Sequence, residues 1–229
     1  MLPLARTLEP EWLDELDPAD ARARRARREL RLVNAIMGNA SFLARALEGS
    51  IAEGARIADL GAGDGALMLR IARKLGTRAV RLALVDRACA PSPQTLAQFN
   101  ALGWDVTPCA ADVFEWLARA GDFDAITVNL FLHHLEGARL RELLRLAAAR
   151  TPRFAACEPR RSRVALLGSR ALVFLGCGPV TRHDALLSVK AGFQGHELTE
   201  LWPSSRDWQL EEGARGPFSH LFVARRHHA

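Results

Sequence analysis

Short apolar runs alternate along this chain with stretches whose apolar residues recur every three or four positions. Ile57-Ala58-Asp59-Leu60, Val80 to Val85, Trp104 to Pro108, Asp124 to Leu130 and Phe154 to Cys157 read as strands. Ala66 to Leu75, Gln94 to Leu102, Val113 to Arg119 and Glu136 to Ala149 read as helices, the first stopped by Gly76. Apolar strands separated by helices predict a parallel sheet covered on both faces. Arg163 to Leu175 and Asp184 to Ala191 add two helical stretches, split by Gly176-Cys177-Gly178-Pro179. Glu197 to Leu201 and Phe218 to Ala224 read as strands with no helix between them, which predicts an antiparallel C-terminal hairpin closing the sheet.

Residues 10–50 carry a different pattern. Asp17-Pro18-Ala19-Asp20 offers a helix start, Leu30, Val33 and Met37 follow at helical spacing, and Gly38-Asn39 is a stop. Ser41 then offers a cap for a short helix bearing Phe42, Leu43 and Leu47. The expected organisation is an N-terminal helical cap over 1–50 and an α/β domain over 51–229, with a helical insertion at about 160–192.

Composition narrows the class. At 229 residues and 49% hydrophobic, the chain has the proportions of a soluble globular protein. The net charge is +5, and only Lys74 and Lys190 among the 31 basic residues are lysines. Arg22, Arg24, Arg25, Arg27, Arg28 and Arg31 crowd the first helix. They read as a solvated face partly paired with acids, the alternative being a patch for nucleic acid or anionic membrane. No apolar run reaches the length of a membrane span, and the N-terminus lacks the pattern of a signal peptide. Cys89, Cys109, Cys157 and Cys177 show no metal-binding spacing, so no metal is expected, and reduced thiols point to the cytoplasm.

Asp59-Leu60-Gly61-Ala62-Gly63-Asp64-Gly65 joins the first strand to its helix, and Asp86 ends the second strand. Glycines there allow a tight turn and close approach of a ligand, while an acid ending strand two can accept two bonds from a ribose diol. Gly61, Gly63 and Ala66 satisfy the permissive dinucleotide pattern. Asp59 and Asp64, however, place carboxylates where a pyrophosphate would approach, and suit a ligand carrying an ammonium and a sulfonium. A dehydrogenase is therefore the weaker reading. Asp64 and Asp112 also fit as plain helix caps.

With these motifs the sequence resembles the class I S-adenosylmethionine-dependent methyltransferase superfamily, of the small-molecule type. Asp59 to Gly65 resembles its first motif, Asp86 its second and Ala110-Ala111-Asp112-Val113 its third. Phe123 to Leu135, including Asn129 and His133-His134, resembles its fourth, and the resemblance covers roughly residues 50–226. It implies a Rossmann-like fold and S-adenosylmethionine as cofactor. Gly61 and Gly63 would contact its methionine part through the backbone and Asp59 would help hold the amino group. Asp86 would hold the ribose, Asp112 would face the adenine amino group, and Val113 would lie under the base. Ala62, Arg87 and Asn129 complete the candidate cofactor set.

An oxygen nucleophile calls for a base, and histidine suits neutral pH. Candidates are His183, in Thr181-Arg182-His183-Asp184, and His133 and His134 after strand four. A cap or surface role for His183 and a structural role for the pair are the plainer alternatives. Arg160 and Arg161 follow strand five at the ligand-binding edge and can fork onto an acceptor anion, or simply be solvated. Phe131, Leu132, Leu172, Phe174 and Leu175 read either as the wall of a pocket for a small hydrophobic acceptor or as core.

The expected function is methylation of oxygen or carbon on a phenolic, polyketide-like or quinone-precursor acceptor by a monomer or homodimer. Nucleic acid is not an expected partner. An RNA- or protein-directed methyltransferase and a non-catalytic S-adenosylmethionine-binding partner protein stay open as alternatives.

Overall fold

The computed structural model describes residues 4–17, 19–49, 51–76, 79–88, 90–203 and 205–227; Pro18, Cys89 and His228 lie outside them. A single turn, α1 (Trp12–Glu15), precedes α2 (Ala21–Met37) and α3 (Asn39–Leu47). Asp20 caps α2 by accepting the N–H of Arg22. Gly38, at φ +75°, ends α2 in the left-handed conformation and leads directly into α3. Ser41 therefore lies inside α3 rather than capping it.

The alternating part runs β1 (Ala55–Leu60), α4 (Ala66–Leu75), β2 (Val80–Asp86), α5 (Pro93–Ala101), β3 (Trp104–Ala110), α6 (Val113–Arg119) and β4 (Ala125–Asn129). It continues through α7 (Gly137–Arg150), β5 (Arg153–Pro159), α8 (Arg163–Ala171), α9 (Pro179–Ala191), α10 (Glu197–Leu201), β6 (Trp208–Arg215) and β7 (Ser219–Arg226). The sheet order is β3-β2-β1-β4-β5-β7-β6. β1 to β5 pair in parallel, and β7 runs antiparallel to both β5 and β6. Pro108 is tolerated in β3 because β3 is an edge strand, where the missing N–H breaks no ladder.

Strand alternation divides the core in two. Ile57, Leu82 and Leu84 face α3, α4 and α5, where Met68, Ile71 and Ala72 are completely buried. Ala58, Leu60, Val85 and Val128 face α6, α7 and α10. Each large apolar side chain so buried contributes about 1.5–3 kcal/mol. The sheet is thus the doubly wound, Rossmann-like one expected, with its order reversing between β1 and β4. Ligands bind at the carboxyl edge of such a switch point.

The C-terminal hairpin differs in detail. Glu197–Leu201, expected as a strand, is the helix α10, and the strand pairing with β7 is β6. The buried side chain of Leu198 anchors α10. Glu212 of β6 accepts the N–H groups of Leu198 and Thr199 at 3.0 and 2.7 Å, satisfying donors that a first helical turn leaves unpaired. No described helix is long and apolar enough to cross a membrane.

Candidate functional site

The first half of the site is made by backbone. Gly61, Gly63 and Gly65 have φ of +71°, +55° and +73°, a conformation that side-chain-bearing residues rarely adopt. Gly61 is also sterically obligatory, since a Cβ there would stand 2.5 Å from Cγ of Phe131. At Gly63 the space a Cβ would fill is open, which leaves the loop approachable. Asp86 binds the loop to β2: its Oδ2 accepts the N–H of Gly63 at 3.0 Å and its Oδ1 that of Ala88 at 2.8 Å. Gly61 and Ala62 donate to the carbonyl of Val85 at 2.8 and 3.2 Å.

The other acids have distinct settings. Asp59 lies opposite Thr127 in the β1–β4 register and accepts its hydroxyl at 2.8 Å. Burial raises the Asp59 carboxyl to about 7, with the negative charge of Asp86 adding to the effect and the Thr127 bond opposing it. Asp64 caps the N–H of Ala66 at 3.0 Å and pairs with Arg31 of α2 at 2.6 Å. Asp112 caps α6 through Phe114 and Glu115, and its second oxygen takes Arg87 at 2.8 Å. Burial pushes the Asp112 carboxyl up, but these bonds outweigh it and hold the group below its usual range. Val113 is buried behind it. Asn129 donates to Asn34 at 3.0 Å and accepts from Asn39 at 2.8 Å, tying the end of β4 to α2 and α3.

The second half assembles distant segments around Glu158, which sequence reasoning had left without a role. Its fully buried carboxylate accepts the N–H groups of Phe131, Leu132 and His133 at 3.0, 2.9 and 3.3 Å. It also bonds Nδ1 of His133 at 2.8 Å. Just before this turn, Leu130 adopts φ +50°, uncommon for leucine, with its N–H on the carbonyl of Cys157. The His134 ring lies against that of His133, with centroids 4.1 Å apart and planes tilted by 36°. On the other side, Nε2 of His133 faces Glu11 at 3.6 Å. Burial alone would lower the His133 imidazole, but Glu11 and Glu158 outweigh it and raise it to about 9. Burial and the adjoining His133 charge push His134 down to about 4.

His183 occupies a neighbouring cluster. Its ring stacks on Trp12 at 3.7 Å and 10°, and its Nδ1 lies 3.0 Å from Asp184. Asp184 in turn accepts the N–H groups of Trp12 and Leu13 at 2.9 and 3.0 Å. Residues 11–14 therefore link His183 to the His133–His134 pair. The insertion and the N-terminal segment meet elsewhere too: Arg25 donates to the carbonyl of Gly176 at 2.8 Å, and Glu29 accepts the N–H of Gly178 at 2.9 Å.

The two arginines separate in role. Arg161 is buried and donates to the carbonyls of Leu4 and Gly192 and to Glu197. Its fork is thereby spent on holding the N-terminal strap. Among the described residues the Arg160 side chain makes one hydrogen bond, 3.3 Å to the carbonyl of Gly216. Of the expected apolar wall, Leu132 and Leu172 are core, Phe131 lies on the glycine loop, and Phe174 is 88% exposed. The arginines of α2 are largely engaged: Arg22 with Asp20, Arg25 with Glu29 and Arg31 with Asp64. Glu11 stands in no motif of the sequence, whereas Glu158 lies beside Arg160 and Arg161 at the carboxyl end of β5.

Residues 57–151 match the family model described as a methyltransferase domain. No curated protein matches the sequence. Among solved structures, the plantazolicin methyltransferase BpumL in complex with SAH is similar, with a TM-score of 0.65 and 13% identity over 91% of this chain and 92% of that one. The pyocyanin biosynthetic protein PhzM is similar with a TM-score of 0.59 and 17% identity, over 94% of this chain and 61% of that chain. An O-methyltransferase family protein from Burkholderia thailandensis gives a TM-score of 0.57 and 16% identity, over 91% of this chain and 60% of that chain.

Proposed function

We propose that this chain, whose residues 57–151 match a methyltransferase-domain model, is a class I S-adenosylmethionine-dependent methyltransferase that methylates oxygen or carbon of a small, partly apolar acceptor. The observation that carries the reading is the pairing of an approachable left-handed glycine loop with Asp86, which supports a ligand containing both a ribose and a cationic amino acid. The donor chemistry fits S-adenosylmethionine. Asp86 would hold the ribose hydroxyls, the backbone of Gly61 to Gly63 the methionine part, and Asp59 the ammonium. Asp112 with Arg87 and Val113 would border the adenine. When bound, S-adenosylmethionine supplies an electrophilic methyl carbon on a sulfonium.

The remaining work falls to the chain itself. Alignment of nucleophile and methyl can lower a barrier by several kcal/mol, roughly 7–11 at best. Phe131, fixed against Gly61 and held through its N–H by Glu158, is placed to shape the acceptor side. The N-terminal segment and the α8–α9 insertion meet at this edge, where their closure over bound reactants would exclude water. His183 is the base this geometry favours, because Asp184 orients it through Nδ1 and leaves Nε2 to accept a proton. Arg160, with most of its fork unspent, is the residue we assign to an acceptor carboxylate or phosphate.

The assay is transfer of an isotope-labelled methyl group to a panel of phenols, hydroxyquinone precursors and polyketide-like acceptors, run beside RNA and protein. Labelling within the small-molecule panel is expected. Labelling of RNA or protein alone would overturn the acceptor class and leave the cofactor assignment standing.

A further inference from the structure

The strap that crosses the carboxyl edge of the sheet sets a third donor against the two adjacent histidines. Arg6 anchors it, donating to the carbonyls of Ala191, His133 and Leu135 at 2.7, 3.2 and 3.1 Å. Farther along the strap, Oε1 of Glu11 accepts the hydroxyl of Ser188 and faces His133, and one donor atom each from Glu11, His133 and His134 lies within 4.8 Å of the others. From this juxtaposition we infer that Glu11, His133 and His134 form a binding site for a divalent transition-metal ion of the zinc class.

Three linked features point to a ligand there. First, Nε2 of His133 is buried, has no hydrogen-bond partner among the described residues and looks toward Glu11 across 3.6 Å. That gap is too long for a hydrogen bond, yet close to the separation of two donors on one ion with bonds of about 2.0–2.2 Å. Second, the opposite nitrogen of the ring is bonded at 2.8 Å to a carboxylate, Glu158, whose side chain is completely shielded from solvent. Metal-bound histidines are oriented in just this way, the free N–H donating to a carboxylate that fixes the tautomer and strengthens the ligand. Third, two carboxylates converge on one imidazole, with the Glu11 side chain only 13% exposed. A dication balances both charges while His133 binds in its neutral form.

The donor set, two imidazoles and one carboxylate, is that of sites for zinc and neighbouring first-row metals, with coordination positions left for water or an oxygen of a second molecule. Glu158 is a positioning residue for His133 rather than a ligand. His134, about a third exposed, is the ligand with most freedom to move in. The assignment rests on these side chains alone and does not depend on the methyl-transfer reading.

The test uses the full chain, stripped with a chelator and titrated with Co²⁺ as a visible-absorption probe, followed by displacement with Zn²⁺. One Co²⁺ per chain is expected, with d–d bands of a low-coordinate site that Zn²⁺ abolishes. Glu11→Gln and His134→Ala should each raise the Co²⁺ dissociation constant at least tenfold, while Asp14→Asn, beside His134 but outside the donor set, leaves it within twofold. SAH binding by each variant reports that the fold is kept, and is expected to persist even if the metal assignment fails. No stoichiometric Co²⁺ binding by the wild type would overturn the inference. So would binding that survives both ligand substitutions, since it would then reside elsewhere, as in the terminal His227-His228.

Discussion

The two halves of the site are built at different ranges along the chain. On the proposed cofactor side, the glycine loop, Asp86, Arg87 and Asp112 lie at successive strand ends, and the contacts that fix them run mainly between neighbouring loops. On the proposed acceptor side, Glu158 reaches back to residues 131–133, Arg6 to 191, Arg161 to 4, and Asp184 to 12 and 13. The first half is a property of the sheet and its turns. The second exists only when the N-terminal strap, the turn after β4 and the insertion have come together. Losing one polar partner should therefore damage the acceptor half broadly and the cofactor half locally.

The largest effect should come from Glu158→Ala. It strands three N–H groups and the His133 imidazole in the interior, so unfolding free energy should fall by about 3–5 kcal/mol. Denaturant titration reads it, and a loss below about 1 kcal/mol would show that Glu158 does not organise this edge. Next is the pH response of Asp59. Its folded pKa of about 7 stands above the unfolded value of 3.8, so the folded state holds the proton more tightly. Its contribution is full below pH 3.8 and is lost as pH rises toward 7, by up to about 4 kcal/mol. Asp59→Asn should flatten that part of the stability profile, and an unchanged slope would contradict the buried setting of the carboxyl.

His183→Ala should lower turnover at saturating cofactor by about 10²-fold while sparing SAH affinity. Full activity would remove His183 from the reaction. The smallest effect is expected at Arg31→Ala, which breaks a half-exposed pair with Asp64 and should cost less than about 1 kcal/mol of stability. A larger loss would show that α2 braces the glycine loop more tightly than this pair implies.

What could be read from the sequence follows the same division. α4 and α6 span the residues their patterns predict, because Gly76 and Asp112 terminate them with local chemistry. Asp86 ends β2 as its position after an apolar run requires. β6 carries little strand signal because Glu211, Glu212 and Gly213 cut short the alternation begun by Trp208 and Leu210; Glu212 points inward because α10 and His220 meet it there. The same logic hid Glu11 and Glu158, whose partners lie more than a hundred and about 25 residues away. Arg161 looked like a ligand fork because nothing local shows that Leu4 returns to it.

The central claim is that the glycine loop and Asp86 form the S-adenosylmethionine site, and calorimetric titration of SAH into wild type and Asp86→Ala tests it most directly. Removing charge-assisted bonds to a ribose costs about 1.5–3 kcal/mol, so the account predicts one SAH per wild-type chain and an affinity roughly 10- to 150-fold weaker in the folded variant. No SAH binding by the wild type, or equal binding by Asp86→Ala, would contradict it.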